Sequence, residues 1–415
     1  MSLLATGLWT VLLGLFVNTA AQAFLYATLP SVGRGIGLAE TQTGIILGAG
    51  AILGMLTAPA WGFLSERWGR RRVLVTAMSA VGISPLVLAL MLGGLAAAMP
   101  VLAVFLVLLC ARGVQAAFGS ALIPVSQAYV ADITSDQNRT AGMGLLGATI
   151  SVGTVGGAML VWLVGGFSPQ LGFATIAALA VAAFILGLLL MPEPRRHVAP
   201  ERSAYAIPFR AVWPFFVVTA LAMTANTIVQ PVIGLRLMDQ FALPQAEAIG
   251  IAGAAVTCTA LAMMFSQAVL TPRLKWPPIR MLRVGSLGAA LGLAVLAMAD
   301  GQPLIIAGMG VVGLSLGLVL PGTLAAMSLA TGAGAQGKVA GINTLALGIG
   351  LALGPVSGTA VYKLGFAAPF WLAGLLALGI AAIAFVLPRR DAGDRAAPGP
   401  DRAPAAAVLS APRSR

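Results

Sequence analysis

The sequence predicts an all-α polytopic membrane protein of twelve transmembrane helices in two pseudo-symmetric six-helix bundles. Three observations predict it: a composition too apolar for a soluble surface, twelve apolar runs of spanning length, and an internal repeat offset by about 200 residues. Of the 415 residues, 59% are hydrophobic and 9% charged, against roughly 25% charged in soluble domains. So few charges cannot build a water-facing surface, so the apolar surplus must face lipid. The spans fall near 8–29, 43–63, 73–94, 101–128, 139–165, 169–191, 211–236, 246–270, 280–299, 303–327, 338–361 and 367–387. Crossing a bilayer takes about 20 apolar residues, and a helix satisfies its own backbone groups in lipid. The runs are continuous rather than alternating, which excludes barrel strands. Pro30, Pro100, Pro169, Pro192, Pro244, Pro303 and Pro388 mark boundaries. The first run follows no basic segment and is too long for a signal peptide core, so it reads as a span.

The net charge of +12 does not indicate nucleic acid, because the basic residues sit between apolar runs rather than along one helix face. Of the 24 basic residues, twenty fall in the loops and tail on one side. Only Arg34, Arg236 and Lys363 fall on the other side, and Arg112 lies within a span. Basic loops stay in the cytoplasm, so both termini are expected there. Four regions result: a bundle over 1–191, a cytoplasmic linker over 192–210 holding the one histidine, His197, a bundle over 211–388, and a disordered cytoplasmic tail over 389–415 rich in Ala, Pro, Arg and Asp. Cys110 and Cys258 lie in apolar runs and read as small buried hydrophobes.

The halves repeat each other. Ile123-Pro124 matches Leu320-Pro321, Arg139-Thr140-Ala141-Gly142 matches Lys338-Val339-Ala340-Gly341, and Met191-Pro192 matches Leu387-Pro388. Such duplication places a solute site near the midplane between halves. Asn18-x-x-x-Gln22 in span 1 corresponds to Asn226-x-x-x-Gln230 in span 7, and the i, i+4 spacing puts each pair on one helix face. Amides there line a hydrated path or fasten helices together. Tyr26, Arg112, Gln115 and Asn343 are assigned to the same path.

Between spans 2 and 3, Gly62-Phe63-Leu64-Ser65-Glu66-Arg67-Trp68-Gly69-Arg70-Arg71-Arg72 resembles the signature G-x-L-a-D-R-x-G-R-[KR]-x of the major facilitator superfamily, with Glu66 in place of Asp. The resemblance implies a gate latch built from Gly62, Glu66, Arg67, Gly69, Arg70 and Asp132. In it the acid meets the start of helix 11, and Arg67 or Arg70 meets Asp132 at the end of helix 4. A carboxylate at a helix N-terminus gains about 0.3–1 kcal/mol. A cluster that merely sets topology is the alternative. Arg112-Gly113-Val114-Gln115-Ala116-Ala117-Phe118-Gly119 resembles a degraded form of the family's helix 4 motif, R-x-x-Q-G-x-G-A. That resemblance implies a role for Arg112 in proton coupling or anion binding, against a structural arginine bonded to carbonyls. Gly153-Thr154-Val155-Gly156-Gly157 resembles the antiporter motif G-P-x-x-G, and Gly354-Pro355-Val356-Ser357-Gly358 keeps its proline. Gly153, Gly157, Gly354, Pro355 and Gly358 are thus read as a hinge, since small residues allow close packing and proline loosens a helix.

All twelve acids are read outside the spans, so no conventional deep carboxylate is available to a proton; a protonatable solute, Arg112 with a peripheral acid such as Asp239, or uniport are the readings left open. There is no nucleotide loop of the G-x-x-x-x-G-K-[ST] form, no metal-ligand cluster and no cofactor signature, which argues against an enzyme. The resemblance implies a bacterial inner-membrane secondary transporter of the drug–proton antiporter-like branch, close to siderophore exporters of the alcaligin-exporting type. Its expected partners are a small organic solute, protons and membrane lipids, with no nucleic acid. A multidrug antiporter, a proton-coupled importer and a non-transporting receptor or scaffold are the alternatives.

Overall fold

The computed structural model describes residues 3–194, 209–331 and 336–387. Most of the linker read over 192–210 and the tail read over 389–415 lie outside the described residues. Twelve helices are long and apolar enough to cross a membrane: α1 Thr6–Gly35, α2 Glu40–Trp68, α3 Arg70–Leu92, α4 Val101–Ile133, α5 Ala141–Gly165, α6 Pro169–Leu190, α7 Val212–Gln240, α8 Gln245–Leu274, α9 Pro278–Ala297, α10 Gln302–Thr331, α11 Val339–Tyr362 and α12 Ala368–Val386. No strand occurs among the described residues. Each of the twelve expected spans has its helix. Several helices run a turn or two beyond the apolar run, because a helix continues until its end carbonyls find water or a cap.

Those longer ends correct two expectations. Glu40, Glu66, Asp132, Asp239 and Glu247 lie within terminal turns of helices rather than in loops. Arg112 is also not the one charge within a span, because Arg236 in α7 is fully buried. Arg236 donates to the carbonyls of Leu296 and Ala299 and to Gln240, and stacks over Phe366 and Phe370. The cysteines depart from expectation as well: Cys110 is exposed on the helix surface and Cys258 is half-buried.

The outer surface carries large apolar side chains such as Leu56, Leu102, Leu189, Leu291 and Leu375, as a lipid-facing surface requires. Inside, small residues set the spacing, since apolar helices in lipid associate through close packing. Gly153 lies over Thr19 and the Phe16 carbonyl, and Gly157 over the Ala20 backbone, so α5 is pressed onto α1. In the other half Gly354 lies over Thr227 and Gly358 over the Ile228 backbone, pressing α11 onto α7. These contacts keep the sequence offsets, 208 from α1 to α7 and 201 from α5 to α11. The repeat seen in sequence is therefore also a repeat of packing.

Candidate functional site

The polar interior is built around helix interruptions. A proline has no N–H, so the carbonyl four residues earlier loses its helical donor. Pro85 frees the Val81 carbonyl in α3 in this way, and the Gln115 amide of α4 donates to it at 3.0 Å. Pro355 frees the Leu351 carbonyl in α11, and the Tyr26 hydroxyl of α1 donates to it at 3.4 Å. In α4, the Ala121 N–H turns to Phe118 next to Pro124, which leaves the Ala117 carbonyl without its helical donor. Trp61 Nε1 and Thr57 Oγ1 of α2 take it at 2.5 and 3.0 Å. Side chains named from sequence as path residues are thus also the groups that satisfy kinked backbone.

Arg112 lies at the centre of this region and is 3% exposed. Its Nη1 donates to Gln115 Oε1 at 3.0 Å, the Tyr26 hydroxyl lies beside its guanidinium, and Gly50 of α2 leaves room for its stem. Nε is buried with no hydrogen-bond partner. Among the described residues no carboxylate pairs with it. Tyr26, Arg112 and Gln115 therefore form one polar chain, linking the kink of α11 in the second half to the kink of α3 in the first.

The amide pairs are placed alike in the two halves. Asn18 and Asn226 are buried at 3% and 8% exposure, whereas Gln22 and Gln230 are partly exposed. Asn18 faces Gly119 of α4. Asn343 accepts a hydrogen bond from Thr219 of α7 at 3.2 Å, so α11 and α7 are fastened there.

One end of the molecule is closed between the halves. Gly44 of α2 meets the Pro355 carbonyl and Thr359 of α11, and Gly48 meets Ala352 and Val356. Gly166, just past the end of α5, meets Gly250 of α8. Over these contacts, Arg34 of α1 binds Asp239 of α7 at 2.6 Å and Glu40 of α2 at 2.7 Å. The Tyr362 hydroxyl of α11 donates to Asp239 at 2.6 Å. This four-residue clasp joins the halves and was not assembled from sequence. The signal available was the presence of any charge at all on the charge-poor side.

At the other end, which carries the basic loops, no glycine contact between the halves occurs among the described residues. Gly62, Gly144, Gly147 and Gly341 have no neighbour within 4 Å of an added Cβ. Arg70 Nε binds Asp132 at 3.1 Å and its Nη1 binds Ser65 Oγ at 2.5 Å, while Arg67 stacks over Phe63. Gly69 adopts φ of 101°, a conformation that glycine takes without strain. Glu66 is exposed and makes no bond among the described residues; the side chains of 336–338 on α11 lie outside them. Arg70 and Asp132 meet within the first half.

The family model for the Major Facilitator Superfamily matches residues 11–214 and 215–414. Multidrug resistance protein 2 of Bacillus subtilis (strain 168) is 25% identical over 384 residues, covering 88% of this chain and 91% of that protein. The tetracycline resistance protein, class C, of Escherichia coli is 32% identical over 171 residues, 41% of this chain and 39% of that one. Among solved structures, a bacterial homolog of the human lysosomal transporter Spinster, inward-facing and unoccupied, superposes with a TM-score of 0.74 at 14% identity. That likeness covers 93% of this chain and 97% of the other.

Proposed function

The chain belongs to the major facilitator superfamily, and from that premise we propose that this secondary transporter is a proton-coupled exporter of small organic solutes bearing an anionic or strongly hydrogen-bonding group. Arg112 is the observation that carries the solute class. A buried guanidinium with no counter-ion is costly in a membrane, and charge-assisted bonds to a carboxylate, hydroxamate or phenolate offset that cost. Tyr26 and Gln115 hold it in place without neutralising it. A siderophore belongs to this class, and relatives named for multidrug and tetracycline resistance favour efflux.

Transport follows from exchanging the closed end. With the basic loops cytoplasmic, the end away from the clasp faces the cytoplasm, where an exporter loads. A solute bound at Arg112 draws the guanidinium from Tyr26, which loosens the bond from Tyr26 to the kinked α11. Opening the far side separates Arg34 from Asp239, and Glu66 reaches α11 when the cytoplasmic side shuts. Asp239 is the acid suited to couple the proton. Clasped by Arg34 and Tyr362 it stays charged, and once opening separates it from Arg34 it can take a proton from the periplasm. Gly153, Gly157, Gly354, Pro355 and Gly358 lie where α5 and α11 must flex against α1 and α7.

The test uses everted membrane vesicles and a panel of anionic and cationic solutes. On energisation, wild-type vesicles should accumulate anionic solutes. Arg112→Gln should reduce accumulation at least about tenfold, the loss of one or more charge-assisted bonds, with Arg112→Lys retaining a part. Equal transport by the Gln variant would remove Arg112 from the solute path, and accumulation only by intact cells would reverse the direction.

A further inference from the structure

A groove of about 460 Å³ lies away from the path, where α2, α3 and α6 meet at the basic-loop end. Trp68, Arg71, Arg72, Val75, Thr76 and Leu188 line it. Both α3 and α6 pack on helices of their own half, so the groove takes no part in the contact between halves.

Its chemistry is divided. Val75 and Leu188 give an apolar floor, and Trp68 is 57% exposed, as an aromatic side chain at a membrane interface is. Arg71 is anchored by one nitrogen, donating from Nη2 to the Leu188 carbonyl at 2.6 Å, while its buried Nε has no partner. Arg72 is exposed and its side chain makes no bond among the described residues. The neighbouring carboxylate, Glu193, is already engaged by the backbone N–H groups of Arg70 and Arg71 at 2.7 and 3.2 Å. Two guanidinium groups thus line the groove at the basic-loop end, neither of them in an ion pair among the described residues.

We propose that this groove binds the phosphate head group of an anionic phospholipid, with an acyl chain lying along Val75 and Leu188. Guanidinium groups match phosphate in geometry as well as charge, and anionic lipids are drawn to basic clusters beside a membrane helix. The linker of this chain is the competing occupant; Glu193 near its start is held by the Arg70 and Arg71 backbone rather than by their guanidinium groups, and beyond it Arg195, Arg196 and Arg202 outnumber Glu201. The proposal stands on the groove alone and does not depend on the direction of transport or on Arg112.

The experiment titrates the purified full chain, in a neutral detergent, with phosphatidylglycerol or phosphatidylcholine and reads bound lipid by native mass spectrometry. One phosphatidylglycerol should bind at least tenfold more tightly than phosphatidylcholine, and millimolar inorganic phosphate should not displace it. Arg71→Gln with Arg72→Gln should abolish the preference. Arg72→Gln alone, which breaks no internal bond, should weaken it several-fold with an unchanged unfolding midpoint. Equal binding of the two lipids, or a preference retained by both variants, would overturn the proposal. Displacement by inorganic phosphate would do the same, leaving a simple anion site.

Discussion

Two buried arginines show how differently one residue type serves this fold. Arg112 was legible in the sequence because it interrupts an apolar run. Arg236 was not, because it sits at the edge of a run and its partners, Leu296, Ala299 and Phe370, come from distant sequence. Arg236 is saturated with carbonyls and rings, whereas Arg112 retains a buried Nε without a partner. Substituting them should separate stability from transport. Arg236→Met strands two carbonyls and should cost about 2 kcal/mol, seen as a lower unfolding midpoint in detergent with flux per folded molecule preserved. Arg112→Gln should do the reverse, with little loss of stability and a large loss of flux. Identical effects from both would mean that Arg112 is structural too.

At the scale of the helices, the twelve spans could be read from hydropathy because lipid demands long continuous apolar runs. The close-packing glycines of α5 and α11 could be read because glycine recurs at matching places in the two halves. What could not be read is which side chain answers each proline. Periodicity fixes the face of a helix but not the partner across the bundle, so the bonds from Tyr26 to Leu351 and from Gln115 to Val81 emerge only in three dimensions. Pro355→Ala restores the helical donor to the Leu351 carbonyl and stiffens α11. Turnover should fall about tenfold, equivalent to roughly 1.4 kcal/mol on the barrier, while solute affinity stays within about twofold. Equilibrium binding together with initial-rate flux would measure it. Normal turnover would remove the kink from the transport cycle.

For the whole molecule, the sequence conveyed two halves, but not which end is shut. That depends on Arg34, Glu40, Asp239 and Tyr362, residues from four helices that converge only when the halves meet. The pair of Arg34 and Asp239 is 29% and 39% exposed, so solvent screens it and its contribution is about 1 kcal/mol or less. Arg34→Gln with Asp239→Asn should therefore shift the population toward the state open at this end by up to about fivefold. Spin-label distances between the ends of α1 and α7 would report it, and an unchanged distribution would show that the glycine contacts alone hold the end closed.

Proton-coupled export through Arg112 is tested most directly in everted vesicles carrying an internal pH dye. After energisation acidifies the interior, an anionic substrate should accumulate and, at the same moment, partly dissipate the gradient. Neither should happen with Arg112→Gln. Accumulation that persists after the proton gradient is collapsed, or a solute that enters together with protons running in the same direction, would contradict the account.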